Sequence, residues 1–157
     1  LHCCYVFFGE RVELVGCCNR QGSLAAQITL AEQGVLPGDS AKIKIMVANG
    51  GNQRNKTHRQ ELGLWQQISF RSLYRGDMKS FDRKVVRTAV RNRQSKVDHG
   101  NQQLEFPIPP TLPPTSTTDT GLVTVSYFFK LDLGVGTLEL IVPVVVGRLE
   151  LPGDEKQ

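Results

Sequence analysis

Apolar residues recur at every second position along most of this chain, and no sustained stripe follows the three-and-four spacing of a helix. Within residues 23–30, Leu24, Ala26, Ile28 and Leu30 share one side, with Gln27 and Thr29 on the other. Leu36-Pro37-Gly38-Asp39 then reads as a turn, because proline pre-sets one dihedral and glycine accepts a positive one. Alternation resumes over residues 42–48, with Ile43, Ile45 and Val47 expected inward and Lys42 and Lys44 outward. Gly50-Gly51-Asn52 breaks that strand.

A longer strand is expected over residues 64–75, with Leu64, Ile68 and Phe70 on one side and Arg75-Gly76-Asp77 closing it. Residues 81–95 follow, rich in β-branched and basic side chains. A short strand over residues 102–106 runs into Pro107-Ile108-Pro109-Pro110-Thr111-Leu112-Pro113-Pro114. Prolines cannot donate to a ladder, so that run is expected as an extended crossing. Val123, Val125, Tyr127, Phe129, Leu131 and Leu133 form one face of the next strand, and Gly134-Val135-Gly136 is the expected hairpin turn. Leu138, Leu140, Val142, Val144 and Val146 face inward on its partner. Seven such strands without helices predict an all-β, antiparallel, immunoglobulin-like β-sandwich.

This pattern predicts one domain over residues 23–149, preceded by a cysteine-containing linker over 1–22 and followed by the start of a tail over 150–157. The first residue is Leu1 and no signal-peptide pattern follows it, so the sequence is read as a piece of a longer protein. The longest apolar run, Leu140 to Val146, is seven residues and contains Pro143. It is too short to span a bilayer as a helix.

Composition adds little until the charges are placed. The net charge of +4 is mild. The four cysteines form two adjacent pairs, Cys3–Cys4 and Cys17–Cys18, and none falls in the apparent core. Secreted sandwiches usually cross-link core strands, so this usage favours a reducing, cytoplasmic compartment. Asn55-Lys56-Thr57 reads as a glycosylation acceptor, but the cysteine usage argues against its being used.

The order of the segments is more specific than their alternation. The Pro-Gly-acidic turn at Pro37–Asp39, the Ile-Pro-Pro run at Ile108–Pro110, and paired terminal strands ending at Val146-Gly147 come in a set sequence. This resembles the arrestin C-terminal domain, and is most similar to the α-arrestins, the arrestin-domain-containing adaptor proteins, over roughly residues 23–147. The resemblance implies a non-enzymatic adaptor, without cofactors, that holds cytosolic segments of membrane proteins alongside an N-terminal arrestin sandwich absent here. It implies recruitment to the plasma membrane or endosomes, and ubiquitination and endocytosis of cargo through a HECT-type ubiquitin ligase bound by a Pro-Pro-x-Tyr tail. Pro109-Pro110-Thr111-Leu112 and Pro113-Pro114-Thr115-Ser116 both lack the tyrosine, so a ligase would bind a tail outside this chain. One branch of the family binds thioredoxin through a C-terminal-domain cysteine. No cysteine follows Cys18, so that activity is not carried over.

The basic strand is the main candidate binding site. Arg83, Arg87, Arg91 and Arg93 are all odd-numbered, and a regular strand places them on one face. Arginine suits bidentate recognition of carboxylate or phosphate. Arg83 and Arg93 would stand roughly 33 Å apart, which fits an extended acidic or phosphorylated peptide, or an anionic membrane, and no single phosphate. The bland alternative is a solvated edge strand whose charges suppress edge pairing.

Other features carry weaker signals. Adjacent cysteines lack the spacing of a zinc knuckle, so no metal is expected, whereas Cys17 and Cys18 are candidates for lipidation. His2, His58 and His99 lie far apart and mark no catalytic group. Trp65 and Tyr74 read as sandwich packing, with a ligand cage as the alternative. The proline run is either a built-in crossover or a polyproline ligand. No aromatics interleave with the arginines, which argues against nucleic acid. Two functions are therefore carried forward: a trafficking adaptor with a cargo site, and a structural domain that only packs on an N-terminal sandwich.

Overall fold

The alternation described above closes into two facing sheets. The computed structural model describes residues 6–15, 20–49, 60–72, 74, 76–90, 99–117, 121–132 and 139–148. Within these the strands are β1 (Val6–Val15), β2 (Arg20–Leu30), β3 (Gly34–Val35), β4 (Ser40–Asn49), β5 (Gln60–Arg71), β6 (Met78–Val90), β7 (His99–Pro107), β8 (Val123–Asp132) and β9 (Glu139–Val146). One sheet has the order β1-β2-β4-β7 and the other β3-β9-β8-β5-β6. Every pairing is antiparallel except β3 with β9, which is parallel.

The expected all-β sandwich is thus present, with two additions. Residues 6–15, expected as linker, form β1, which pairs with β2 from Val6↔Leu30 to Val15↔Arg20. Glu10, Arg11 and Glu13 interrupt any apolar stripe there, and an edge strand is held by a backbone ladder that leaves little trace in side-chain pattern. β3 is the second addition. Two residues cannot show alternation, yet Val145 N–H donates to the Gln33 carbonyl at 2.9 Å and Gly147 N–H to the Val35 carbonyl at 2.8 Å. The adjacent-cysteine segments and the Gly134-Val135-Gly136 turn lie outside the described residues.

The core lies where the inner faces meet. Ile28, Leu30, Ile43, Ile45 and Phe106 come from one sheet, and Leu62, Leu64, Phe129, Leu131 and Val142 from the other, all nearly inaccessible to water. Phe106 and Phe129 meet edge to face across the sandwich, with ring centres 5.2 Å apart. The inner side of β9 alternates without a break through Leu140, Val142, Val144 and Val146. Pro143 faces out on the same strand. Opposite β8, β9 has only two-residue β3 beside it among the described residues, so the missing proline donor costs the sheet little.

The three segments that carry the family resemblance converge at one corner. Ile108 N–H donates to the Asp39 carbonyl at 2.8 Å, and Gly38 N–H donates back to the Ile108 carbonyl at 3.1 Å. Ile108 and Leu112 are buried, so the proline run is a built-in crossover. It ends as a wedge. Thr115 N–H donates to the Val146 carbonyl while Thr115 Oγ1 accepts from Val146 N–H. Ser116 does the same with Val125 through its own N–H and Oγ. Two residues thereby satisfy strands β8 and β9 where these no longer pair with each other.

Gly38 is required at this corner. Its φ is +90°, and an added Cβ would lie 3.7 Å from Pro110 Cβ. The contact is tolerable but the dihedral is not. Gly38→Ala is therefore expected to lower unfolding free energy by about 1–2 kcal/mol, read as a lower denaturant midpoint at unchanged slope.

Candidate functional site

Strand β6 begins after a hairpin whose tip is closed by Ser72 N–H donating to the Asp77 carbonyl and by Gly76 at φ +68°. It pairs along its length with β5, and among the described residues no strand pairs with its other edge. From Met78 to Lys84 every residue is exposed. This is the basic strand of the sequence, placed at the rim of the larger sheet.

Its regular alternation is broken once. Leu64 pairs with Val86 and Trp65 with Lys84, leaving Val85 as an extra residue in a bulge. An inserted residue shifts a two-residue alternation by one, so odd-numbered positions on either side of Val85 fall on opposite faces. Arg83 stands opposite Gln66, which faces inward with Leu62 and Leu64, whereas Arg87 pairs with Gly63 beyond the bulge. The unbroken alternation from Arg83 to Arg87 that the expected single-faced row required is therefore absent. Arg91 and Arg93 lie outside the described residues.

Arg83 reaches back into its own domain. Its Nη2 donates to Gln66 Oε1 at 2.8 Å, and Gln66 Nε2 donates to the Tyr127 hydroxyl at 2.8 Å. That hydroxyl donates to the Pro113 carbonyl at 2.7 Å. Gln66 and Tyr127 are each only 2% exposed. The chain of donors thus crosses from β6 through β5 and β8 to the proline run and leaves none of the three side chains unpaired. Burial raises the Tyr127 hydroxyl above the usual tyrosine range, and the Gln66 hydrogen bond and the Arg83 charge partly oppose it. The sequence held one trace of this network. Gln66 is the lone polar residue at an inward position between Leu64 and Ile68, but its partners are distant in sequence.

Beyond this network the inner face runs past the reach of the second sheet. Phe70 and Val123, a cross-strand pair, were expected in the core and are instead 44% and 50% exposed. Phe81 is 60% exposed and meets Phe70 edge to face at 5.9 Å. Lys79 and Arg83 flank Phe81 at alternate positions on the same side of β6. An apolar shelf edged by cations results. Arginine and lysine stems can lie along such a shelf with their charges in water.

The outer face at the same place is self-contained. Trp65 stacks on Phe128 at 6.3 Å and 5°, and the Lys84 and Lys130 ammonium groups lie 5.2 and 5.3 Å from its ring centre. Those lysines pair with Glu61 and Glu139. Gly63 makes room for this cluster, since an added Cβ would come 3.1 Å from Trp65 Nε1. Trp65 is therefore surface packing, not inter-sheet packing, and Tyr74 stands 99% exposed near the hairpin tip.

Elsewhere, a cleft of about 400 Å³ opens between the sheets beside β3, lined among others by Glu32, Leu36, Asp39, Lys42 and Val145. Among the described residues, no group of three or more His, Cys, Asp or Glu side chains has the spacing to hold a metal. Among the described residues no helix is long and apolar enough to cross a membrane. Cys17, Cys18, His2, His58 and the Asn55-Lys56-Thr57 tripeptide lie outside the described residues, and His99, on β7, pairs with Ala48 of β4.

A protein-family model described as arrestin (or S-antigen), C-terminal domain, matches residues 20–151. Comparison with curated proteins gave no match.

Proposed function

The chain belongs to the arrestin C-terminal domain family, and from that premise we propose that it is the protein-binding domain of a trafficking adaptor of the α-arrestin kind. In this reading it is non-enzymatic and works in the cytoplasm, at the plasma membrane or endosomes. It holds a cytosolic segment of a membrane protein for ubiquitination and endocytic sorting. A ligase would join through a tail outside this chain.

The observation that carries the reading is the exposed apolar shelf of Phe70, Phe81 and Val123, bordered by Lys79 and Arg83. Exposed apolar area rimmed by charge marks interaction surfaces more often than it marks inert ones. The contact from Arg83 to Gln66 supports the alternative reading for that one residue, since it fastens β6 to the buried network. In that reading the domain packs on an N-terminal sandwich and has no binding site of its own.

Paired baits separate the two. The native chain and a Phe70→Ser, Val123→Ser variant, changed at two exposed positions of the shelf, are used to capture cytosolic segments of membrane proteins. The adaptor reading expects retention by the native chain, a loss of about tenfold in the variant, and weaker retention as salt screens Lys79 and Arg83. Equal retention by both would remove the shelf from the site. No specific retention by either would favour the structural alternative.

A further inference from the structure

Seven successive residues of β6, Met78 to Lys84, form a regular edge that is exposed throughout and ends at the Val85 bulge. An edge strand directs about half of its backbone N–H and C=O groups away from its one neighbour, and these can template another strand. Charged side chains normally discourage such pairing. Here they are not neutralised across the stretch: with Lys84 paired to Glu61, Lys79 and Arg83 still outnumber Asp82, and Lys79 has no ion-pair partner among the described residues.

We infer that this edge takes an extended acidic segment of a partner protein by strand addition, with a side-chain order of acidic, any, apolar, any, acidic. The inference rests on the adaptor reading and specifies how its partner is held. Each component has its counterpart on β6. Lys79, Phe81 and Arg83 lie at alternate positions on the inner side, so the residues opposite them on an added strand would also alternate. The middle residue would cover the Phe81 ring, which already meets Phe70 at 5.9 Å and is 60% exposed. Flanking carboxylates would meet the Lys79 ammonium and the donors of Arg83 left over from its bond to Gln66 Oε1. On the outer side the same strand would pass Met78, Ser80, Asp82 and Lys84. Ser80 and Asp82 already bond to Ser69 and Gln67, so that side offers less to a ligand. The bulge at Val85 ends the flat edge and sets the length of the site.

Backbone pairing distinguishes this from a cationic surface. The test uses the full 157-residue chain and a fluorescent synthetic peptide containing Glu-Ser-Phe-Ser-Glu. Three further probes are a peptide of the same composition in an order that breaks the alternation, the original peptide N-methylated at alternate residues on either edge, and phosphatidylserine vesicles. Binding of the alternating peptide is expected, with slowed amide exchange confined to residues 78–84. Lys79→Glu with Phe81→Ala should weaken it about tenfold, from the loss of two cross-strand contacts. The variant's circular dichroism reports that it still folds, since both residues are exposed. Reordered peptide should bind more weakly, and one of the N-methylated pair should not bind. Equal affinity for N-methylated or reordered peptides would overturn strand addition in favour of charge alone. Binding to vesicles without peptide binding would make the surface lipid-facing and overturn it too. Capture of membrane-protein segments that survives Lys79→Glu with Phe81→Ala would sink this inference while leaving the adaptor reading intact.

Discussion

Tyr127→Phe is expected to lower unfolding free energy by about 2–4 kcal/mol, although it removes a single oxygen. That oxygen accepts from Gln66 and donates to the Pro113 carbonyl. Without it, a buried amide donor and a backbone acceptor lose their partners together. The apolar replacement restores neither. Urea denaturation monitored by circular dichroism measures the effect. A loss below about 0.5 kcal/mol would mean that the network is not formed in solution.

The same substitution should change the alkaline limit of the fold. Burial raises the folded-state Tyr127 hydroxyl above its ordinary value of 10.0. The unfolded chain therefore releases this proton first as pH climbs. Stability from the neutral hydroxyl is complete below about pH 10 and declines as pH rises from there through the folded value. Other groups also titrate in that range, so the informative quantity is the difference between native protein and variant. The stability gap should narrow as pH rises above about 10. A gap that stays constant would show that the hydroxyl is not shielded.

Phe129→Ala should be the most damaging single change, with an expected loss of about 3–5 kcal/mol. Phe129 is inaccessible to water and belongs to β8, while its edge-to-face partner Phe106 belongs to β7 in the facing sheet. Truncation opens a cavity between two sheets that cannot move together without breaking other contacts. A double-mutant cycle with Phe106→Ala isolates the ring pair, for which a coupling of about 0.5–1.5 kcal/mol is expected. Additive losses would mean that the two rings act only by the area they bury.

These two residues show unequal legibility. Phe129 lay in the alternation of Val125, Tyr127 and Leu131, so its inward position followed from the two-residue period of a strand. Tyr127 lay in the same row, and nothing local distinguished its hydroxyl from any other. Its partners come from residues 66 and 113, which only the pairing of β5 with β8 and the path of the crossover bring near. For the arginines, odd numbering assumed an unbroken alternation, and one extra residue at Val85 interrupts it between Arg83 and Arg87.

Except for β1 and β3, the sequence by itself determined the elements and the side that each turns inward before the Val85 bulge intervenes, because alternation is a local property that any strand with one buried face must show. It also determined the turn and the extended crossing, since Pro37-Gly38-Asp39 and the proline run are restricted by their own dihedrals. Only the tertiary structure decided how far each inner face is covered. Val123 and Phe70 have the same local pattern as Val142, yet they project past the opposing sheet and remain exposed. Coverage depends on the relative length and offset of two sheets, which no window of sequence contains. It also decided the bulge, the long-range hydrogen bonds of Gln66, and hence which part of the basic strand stands open at an edge.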